Sequence, residues 1–368
     1  MSVFEDRTRE CQQRLRDDGA SGVVLFPSPN LYYLGGFSEA PGERHFFLFV
    51  PADGDPVFVA PQLYEEQLRD VTWVEDLRFW SDTDDPLPLV EDAASDLGVT
   101  DGKLLVDPTM WARFTQDLRA AIPDAEWGLA SDVLGPLRVR KDDAELHALG
   151  RAADAADAAM RDVRGLGADA VGMTEAELAA FVEDRLVAHG GDGTSFETIV
   201  GSGPNGAKPH HHRSDREVQR GDPVVFDFGT RVDHYPSDQT RTVVFAGDPP
   251  AAFETIHEVV RDAQQAAVEA VEPGVAAEEV DAAAREVIEA AGYGDEFIHR
   301  TGHGVGLEVH EEPYVVGGSD RPLEPGMVFS VEPGVYLEGN FGVRIEDLVV
   351  VTESGCERLN DTTRDWRV

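Results

Sequence analysis

The spacing of apolar positions divides the chain into two stretches of different character. In the first, a mostly polar helix is predicted over residues 5–18, followed by the apolar run SGVVLF. Two further runs, HFFLFV and PVFVAP, flank the turn PADGD. Short apolar runs bounded by Gly, Pro and Asp read as strands, so this part is predicted to be mixed α/β. It carries no cluster of histidines and acids. It is expected to be a scaffold domain over residues 1–128, with residues 129–140 as a linker. A long helix is then predicted from KDDAELHALGRAADAADAAM, with Asp142 and Asp143 as cap and first-turn acids. It opens a second domain over residues 141–368.

Within that second domain the pattern occurs twice. GMTEAELAAFVEDRLVAHG (172–190) and GVAAEEVDAAAREVIEAAG (274–292) have equal length, run from Gly to Gly, and space their apolar residues near the helical period. Thr174 and Glu177 form a capping box in the first copy, and the closing glycines suit positions just past a helix end. GDPVVFDFG (221–229) and GMVFSVEPG (326–334) also correspond, each reading Gly, five residues, an acid, one residue, Gly. Asp227 and Glu332 fall at the same place in the two copies. The expectation is a duplicated half-domain with pseudo-two-fold symmetry and a site between the halves.

The acids are the anomaly in this pattern. Asp227 interrupts the apolar run VVFDF, and Asp238 follows eleven residues later, just before TRTVVF. A hairpin of 224–228 with 240–245, turning near Val232 and Asp233, is predicted to set Asp227 facing Asp238. A second, turning at Gly339 and Asn340, sets Glu332 opposite Glu346. Directly opposed residues lie about 4.5–5.5 Å apart at Cβ. Four carboxylates that close cannot all stay ionised without cations. Arg241 and Arg344 are near enough in sequence to serve as ion-pair partners. Two symmetric acid pairs favour instead a pair of divalent ions, about 3.5–4 Å apart in dinuclear hydrolytic sites.

A nitrogen ligand is available in HRTGHGVGLEVHEEP, where Gly302, Gly304 and Gly306 surround His303. His303 and His310 are an odd number of residues apart, so a bend at the glycines is needed to bring both into one cleft. PHHHRSD (209–215) reads as a mobile polar loop in which one histidine, at most two, has a role. An oxygen-rich set with one imidazole favours Mn²⁺, with Co²⁺ or Fe²⁺ as alternatives, over a thiolate zinc site.

Composition narrows the setting. The 368 residues include 71 acids against 31 Lys and Arg, a formal net charge of -40, and only Lys103, Lys141 and Lys208 are lysines. The acids are spread along the chain, which predicts adaptation to very high salt, where self-repulsion is screened. Nucleic acid is a poor partner for such a surface. No apolar run approaches the ~20 residues of a membrane helix. The charged N-terminus lacks a signal-like apolar segment. Two cysteines, Cys11 and Cys356, fit a reducing cytoplasm.

SGPNGAKPH, the DFG…SD pair followed by QTRT, GHGVGLEVHEEP, EPGMVFSVEPG and FGVRIED resemble the metal-dependent Xaa-Pro peptidases of the creatinase/methionine-aminopeptidase ("pita-bread") superfamily. The resemblance runs nearly the whole length. It implies an α/β (α+β) protein with a creatinase-like N-terminal domain and a pita-bread catalytic domain. It implies that Asp227, Asp238, His303, Glu332 and Glu346 ligate two divalent ions, with Asp238 and Glu346 bridging, Asp227 on one ion, and His303 with Glu332 on the other. It implies a metal-bridging hydroxide as nucleophile, Glu332 as the group that passes its proton to the leaving nitrogen, His310 as oxyanion stabiliser, and His210 on the substrate side. Short proline-containing peptides would be the substrates. A homodimer, with the N-terminal domain of one subunit rimming the partner's cleft, is the implied assembly. One departure is Tyr314, which stands where dipeptidases of the family often carry an arginine for the substrate carboxylate. That leaves an aminopeptidase acting on longer peptides open, unless Arg321 or Arg344 substitutes. A methionine aminopeptidase is disfavoured by the added N-terminal domain. A creatinase-type amidinohydrolase and a non-catalytic binding module are disfavoured by the complete ligand set.

Overall fold

The N-terminal helix forms over Val3–Asp18; the Ser2 hydroxyl caps it by accepting from the Glu5 amide, and Gly19 closes it at φ 74°. The computed structural model describes residues 2–368 and separates into two units, the second being Val139–Val368. In the first unit the apolar runs become β1 (Ala20–Leu25), β2 (Phe47–Pro51) and β3 (Val57–Pro61). β4 (Asp76–Trp80), β5 (Asp101–Val106) and β6 (Asp124–Leu129) complete a sheet of order β4-β3-β2-β1-β5-β6. β1–β2 and β2–β3 are antiparallel, whereas the outer pairings are parallel. Every position of β2 and β3 is buried, which explains their continuous rather than alternating hydrophobicity. The stretch 129–140, expected as a linker, contains the helix Ser131–Arg138, with Val133, Leu134 and Leu137 buried, and the first unit ends at Arg138.

The second unit opens with the helix Asp143–Gly165. Its N-terminus is capped reciprocally by Asp142 and Glu145, and Asp143 lies in the first turn, as the sequence predicts. The duplication is realised strand for strand. The helices Glu175–Ala188 and Ala277–Ala290 have equal length, and Gly190 (φ 96°) and Gly292 (φ 86°) lie just past their ends in the left-handed region. In the first copy β7 (Ile199–Ser202), β8 (Val224–Phe228) and β11 (Gln239–Val243) form an antiparallel sheet of order β11-β8-β7. A small hairpin, β9 (Arg231–Val232) with β10 (Tyr235–Pro236), is inserted between β8 and β11. In the second copy β12 (Gly302–Gly304), β14 (Val328–Val331) and β17 (Asp347–Thr352) pair in the same order. The hairpin of β15 (Gly334–Leu337) with β16 (Phe341–Arg344) is inserted at the equivalent point. β13 (Glu311–Val315) and β18 (Gly355–Arg358) extend the edges of the second sheet.

Strand alternation decides which face carries the acids. Val224, Phe226 and Phe228 of β8 and Val243 of β11 share one core with Leu178, Val182 and Leu186 of the first repeat helix. Phe329 and Val331 of β14 and Val349 and Val351 of β17 share the other with Val280, Ala284 and Ile288. Side chains of period two therefore send Asp227 and Glu332 to the opposite, inner face. An acid inside an apolar run is thus the inner-face member of a strand whose outer-face residues are all core.

One expected register is corrected. The first hairpin turns at Asp233 and His234, both with positive φ, rather than at Val232 and Asp233. That shift of one residue changes the pairing by two, so Asp227 faces Thr240, not Asp238. Asp238 lies on the same face, diagonally across, and still within reach of the site. The second register holds. Val331 pairs with Asp347 and Gly334 with Arg344, which puts Glu332 across from Glu346.

Two glycines of β12 allow the sheet to close beside the site. A Cβ on Gly302 would lie 1.8 Å from the Ser330 carbonyl oxygen, and one on Gly304 2.1 Å from that of Glu312. Gly150, inside the helix Asp143–Gly165, has nothing within 4 Å of such a Cβ. Gly302→Ala is therefore expected to destabilise the protein by about 1–3 kcal/mol through overpacking. Gly150→Ala is expected to stabilise it by about 0.5–1 kcal/mol through backbone entropy. Urea midpoints of the two variants test the contrast; equal shifts of one sign would contradict it.

Candidate metal centre

Each acid reaches the cleft from a strand or its immediate flank. Asp227 comes from the inner face of β8 and Asp238 from the residue before β11, while Glu332 and Glu346 come from the ends of β14 and β17. His303 is the central residue of β12. His310 precedes β13, and a shift in the β12–β13 register between His303 and Gly304 turns the chain so that the two imidazoles meet, ring centroids 4.1 Å apart. The bend needed to overcome their odd spacing is present. The four acids and one histidine expected as ligands, together with His210 and His310, line one cleft.

The distances are short. His303 Nε2 is 3.2 Å from Glu332 Oε1 and 3.7 Å from Asp238 Oδ2. One donor atom each from Asp238, His303 and Glu346 lies within 4.8 Å of the others, and all three residues are buried. Thr240 Oγ1 donates to Glu346 Oε2 at 2.7 Å, and Ser330 Oγ donates to Glu332 Oε1 at 3.1 Å. These bonds orient the carboxylates but do not satisfy them. Asp227 Oδ1 and Glu346 Oε1 are buried with no hydrogen-bond partner.

Arginine compensates only part of this charge. Arg344 donates to Asp227 Oδ2 at 2.5 Å, to the Tyr336 hydroxyl at 2.8 Å and to Thr240 Oγ1 at 3.0 Å. Arg241 is engaged elsewhere, with Asp347 at 2.6 Å and with the Glu346 carbonyl. The pKa directions follow. Burial, and then the Glu346 charge, pushes Asp238 well above its ordinary value. Burial, and then Glu332, does the same to Glu346. Asp227 is raised by burial against the pull of Arg344. Burial also acts upward on Glu332, but the hydrogen bond and charge of His303 outweigh it and bring its pKa down to about 2. Carboxylate oxygens in excess, unpartnered buried atoms and one imidazole fit hard divalent cations.

The histidine loop resolves into three fates. His210 lines the cleft. His211 is tied to Glu175 at 2.8 Å, and His212 is exposed beside Glu197. Glu175 also accepts from Ser202, Asn205 and Ser214. Burial opposes its ionisation, yet these bonds hold its pKa at about 2. The loop carrying His210 is thereby fixed to the first turn of the helix Glu175–Ala188. His299, Arg300, Phe196 and Tyr336 were not singled out in the sequence. His299 and Arg300 stand directly before the glycine-rich run, and their adjacency to it was the available signal. His299 bonds the Tyr336 hydroxyl at 2.9 Å. Phe196 lies in a loop with no periodic signature.

The chain has extensive relatives. Residues 147–353 match Metallopeptidase family M24, and residues 7–140 match the Creatinase/Prolidase N-terminal domain. A Xaa-Pro dipeptidase of Lactobacillus helveticus is 38% identical over 97% of this chain and 97% of its own. The crystal structure of dipeptidase PepE from Mycobacterium ulcerans superposes with a TM-score of 0.91 at 41% identity, covering 100% of this chain and 98% of that one. A prolidase from Thermococcus sibiricus gives a TM-score of 0.94 at 38% identity, covering 100% and 99%.

The buried acids predict a pH signature for the chelated protein. Asp238 and Glu346 hold protons when folded at pH values where the unfolded chain, with ordinary values of 3.8 and 4.5, has released them. The folded state binds more protons, so this contribution to stability falls as pH rises above those values. Divalent ions would replace the protons. The gap between urea midpoints of Mn²⁺-loaded and chelated protein is therefore expected to widen as pH rises from about 5 to 8. A gap that narrows would refute this account of the centre.

Proposed function

The chain belongs to metallopeptidase family M24, and from that membership we propose a dinuclear metal-dependent hydrolase that cleaves the Xaa-Pro bond of dipeptides. The observation that carries the reading is the gathering of four carboxylates, Asp238 and Glu346 buried and Asp227 and Glu332 nearly so, in one cleft with His303, with oxygens of Asp227 and Glu346 left without partners. Asp227, Asp238, His303, Glu332 and Glu346, which line one cleft, would hold the two ions. Ions held there lower the pKa of bound water toward neutrality and polarise a carbonyl.

The protein's own groups take the remaining tasks. Glu332, ionised across the neutral range, is in the state that accepts a proton and can hand it to the proline nitrogen as the C–N bond breaks. Burial, then the neighbouring His303, lowers His310 to about 4, so its imidazole is neutral at pH 7 and donates a single N–H toward the oxyanion. His210, which lines the same cleft, would orient the substrate. Phe196 and Val309 offer apolar contact to the prolyl ring. The donor set supports Mn²⁺ as the resident ion. The two free cysteines support a reducing cytoplasm, and the sequence motifs support a homodimer. Among the described residues no helix is long and apolar enough to cross a membrane.

Hydrolysis of Ala-Pro, assayed with Mn²⁺ and with chelator in concentrated KCl, tests the reading. Metal-dependent release of proline is expected, and Glu332→Gln should lower kcat by about 10²–10⁴ while the protein stays folded. Wild-type-like turnover in that variant would remove Glu332 from the mechanism. The charge of -40 adds a separate expectation: the melting temperature should climb with KCl as self-repulsion is screened. A melting temperature indifferent to molar KCl would contradict the high-salt adaptation.

A further inference from the structure

A cleft dominated by carboxylates repels a substrate that brings another one. A dipeptide does so, because its C-terminal carboxylate lies a single residue from the bond to be cut. Some cation must receive it. Arg344 is committed to Asp227, Tyr336 and Thr240. Arg321, the other replacement considered from sequence, lies 3.6 Å from Glu312 and does not line the cleft. Arg300 remains. It lines the cleft, and among the described residues no carboxylate or carbonyl accepts a hydrogen bond from its guanidinium. In a protein with 71 acids and 31 Lys and Arg, an arginine without an ion pair inside an acidic cleft calls for an anionic partner.

Its posture fits that partner. The Arg300 guanidinium lies over the Tyr314 ring, 4.5 Å from the centroid. Stacking on a ring face steadies the planar group and leaves its N–H edge free to donate. Tyr314 pairs with His303 across β12 and β13, so this platform is registered against the strand that carries the histidine of the metal centre. Building on the dipeptide-hydrolase reading above, we propose that Arg300, stacked on Tyr314, receives the free C-terminal carboxylate of the substrate. The two parallel N–H donors of a guanidinium match a carboxylate bidentately. Arg300 thereby sets peptide length. Each added residue carries the carboxylate up to about 3.3–3.6 Å further along the chain, away from the anchor. Tyr314, at the position where an arginine was expected, is on this account a positioning residue for an arginine supplied from the segment that leads into the neighbouring strand β12.

The test compares Ala-Pro, Ala-Pro amide and Ala-Pro-Ala with the Mn²⁺-loaded full chain. The wild type should favour the acid over the amide and the tripeptide. Arg300→Ala should raise KM for Ala-Pro roughly 10- to 100-fold, the loss expected for a charged hydrogen-bond partner, and leave the amide almost unaffected. Arg300→Lys should recover part of the discrimination, and Tyr314→Phe, which keeps the ring, most of it. Equal losses on acid and amide in Arg300→Ala, or a wild type indifferent to the carboxylate, would overturn the assignment. Calorimetric binding of Ala-Pro and its amide to Glu332→Gln and to Glu332→Gln/Arg300→Ala gives a readout independent of turnover. Absence of hydrolysis in the wild type would refute the hydrolase reading alone. A preference for the acid that Arg300→Ala abolishes would sustain the subsite, and an unchanged ratio would refute it.

Discussion

Mutual repulsion among four carboxylates gathered in one cleft, two of them buried, is the constraint around which the catalytic unit is organised. Asp227 and Glu332 are brought inward by strand alternation, on strands whose outer-face residues belong to the two helix-backed cores. The inner face can therefore be polar without loss of core. One guanidinium, that of Arg344, enters this group and bonds Asp227, Thr240 and Tyr336 together. Its single charge is too small to balance four. The remaining imbalance appears as the raised pKa values of Asp238 and Glu346 and as two unpartnered oxygens. Divalent cations bound there would relieve the imbalance.

The duplication explains why such a centre is accessible to a chain of this kind. Two copies of helix, strand, strand, inserted hairpin and strand each place one acid at the end of a central strand. The copies are not identical in detail. The second loop, with Gly339 in the left-handed region, leaves Glu332 across from Glu346. The first turns on two residues, Asp233 and His234, so Asp227 faces Thr240 and its second acid lies two positions earlier. Thr240, in the place equivalent to Glu346, donates a hydrogen bond to it. The pseudo-symmetric counterpart of one candidate ligand is thus the support of that residue.

Much of this was legible in the sequence, and the failures have physical causes. Helix caps are local, so Asp142, Asp143, Thr174 and Glu177 fall where their spacing predicts. The repeat was legible because glycines past helix ends and before strands mark fixed backbone conformations. The Asp227–Asp238 register was not, because a two-residue turn with positive φ at Asp233 and His234, neither a glycine, gives no strong sign of its centre. Of the two arginines near enough in sequence to pair with the acids, Arg344 pairs with Asp227, and among the described residues no arginine pairs with Asp238, Glu332 or Glu346. Arg300 escaped notice for a different reason. What sets it apart, the lack of an ion-pair partner inside an acidic cleft, is a fact about three-dimensional surroundings that no spacing encodes.

The link from fold to site also runs through a lysine in a protein that has almost none. Lys141 stands where the second unit begins, and its amide bonds the Gly326 carbonyl. Its ammonium is fully buried and lies 2.7 Å from Glu311 Oε1. Glu311 follows His310 directly, and its side chain packs so closely on Gly306 that a Cβ there would meet it at 2.2 Å. The bend between His303 and His310 is thereby clamped from beneath by a buried ion pair, whose disruption would leave an uncompensated charge at a cost of about 3–5 kcal/mol. Such a pair adds little net stability over an apolar equivalent, but it fixes direction. It holds one imidazole against the other at the edge of a centre whose chemistry depends on where those rings point.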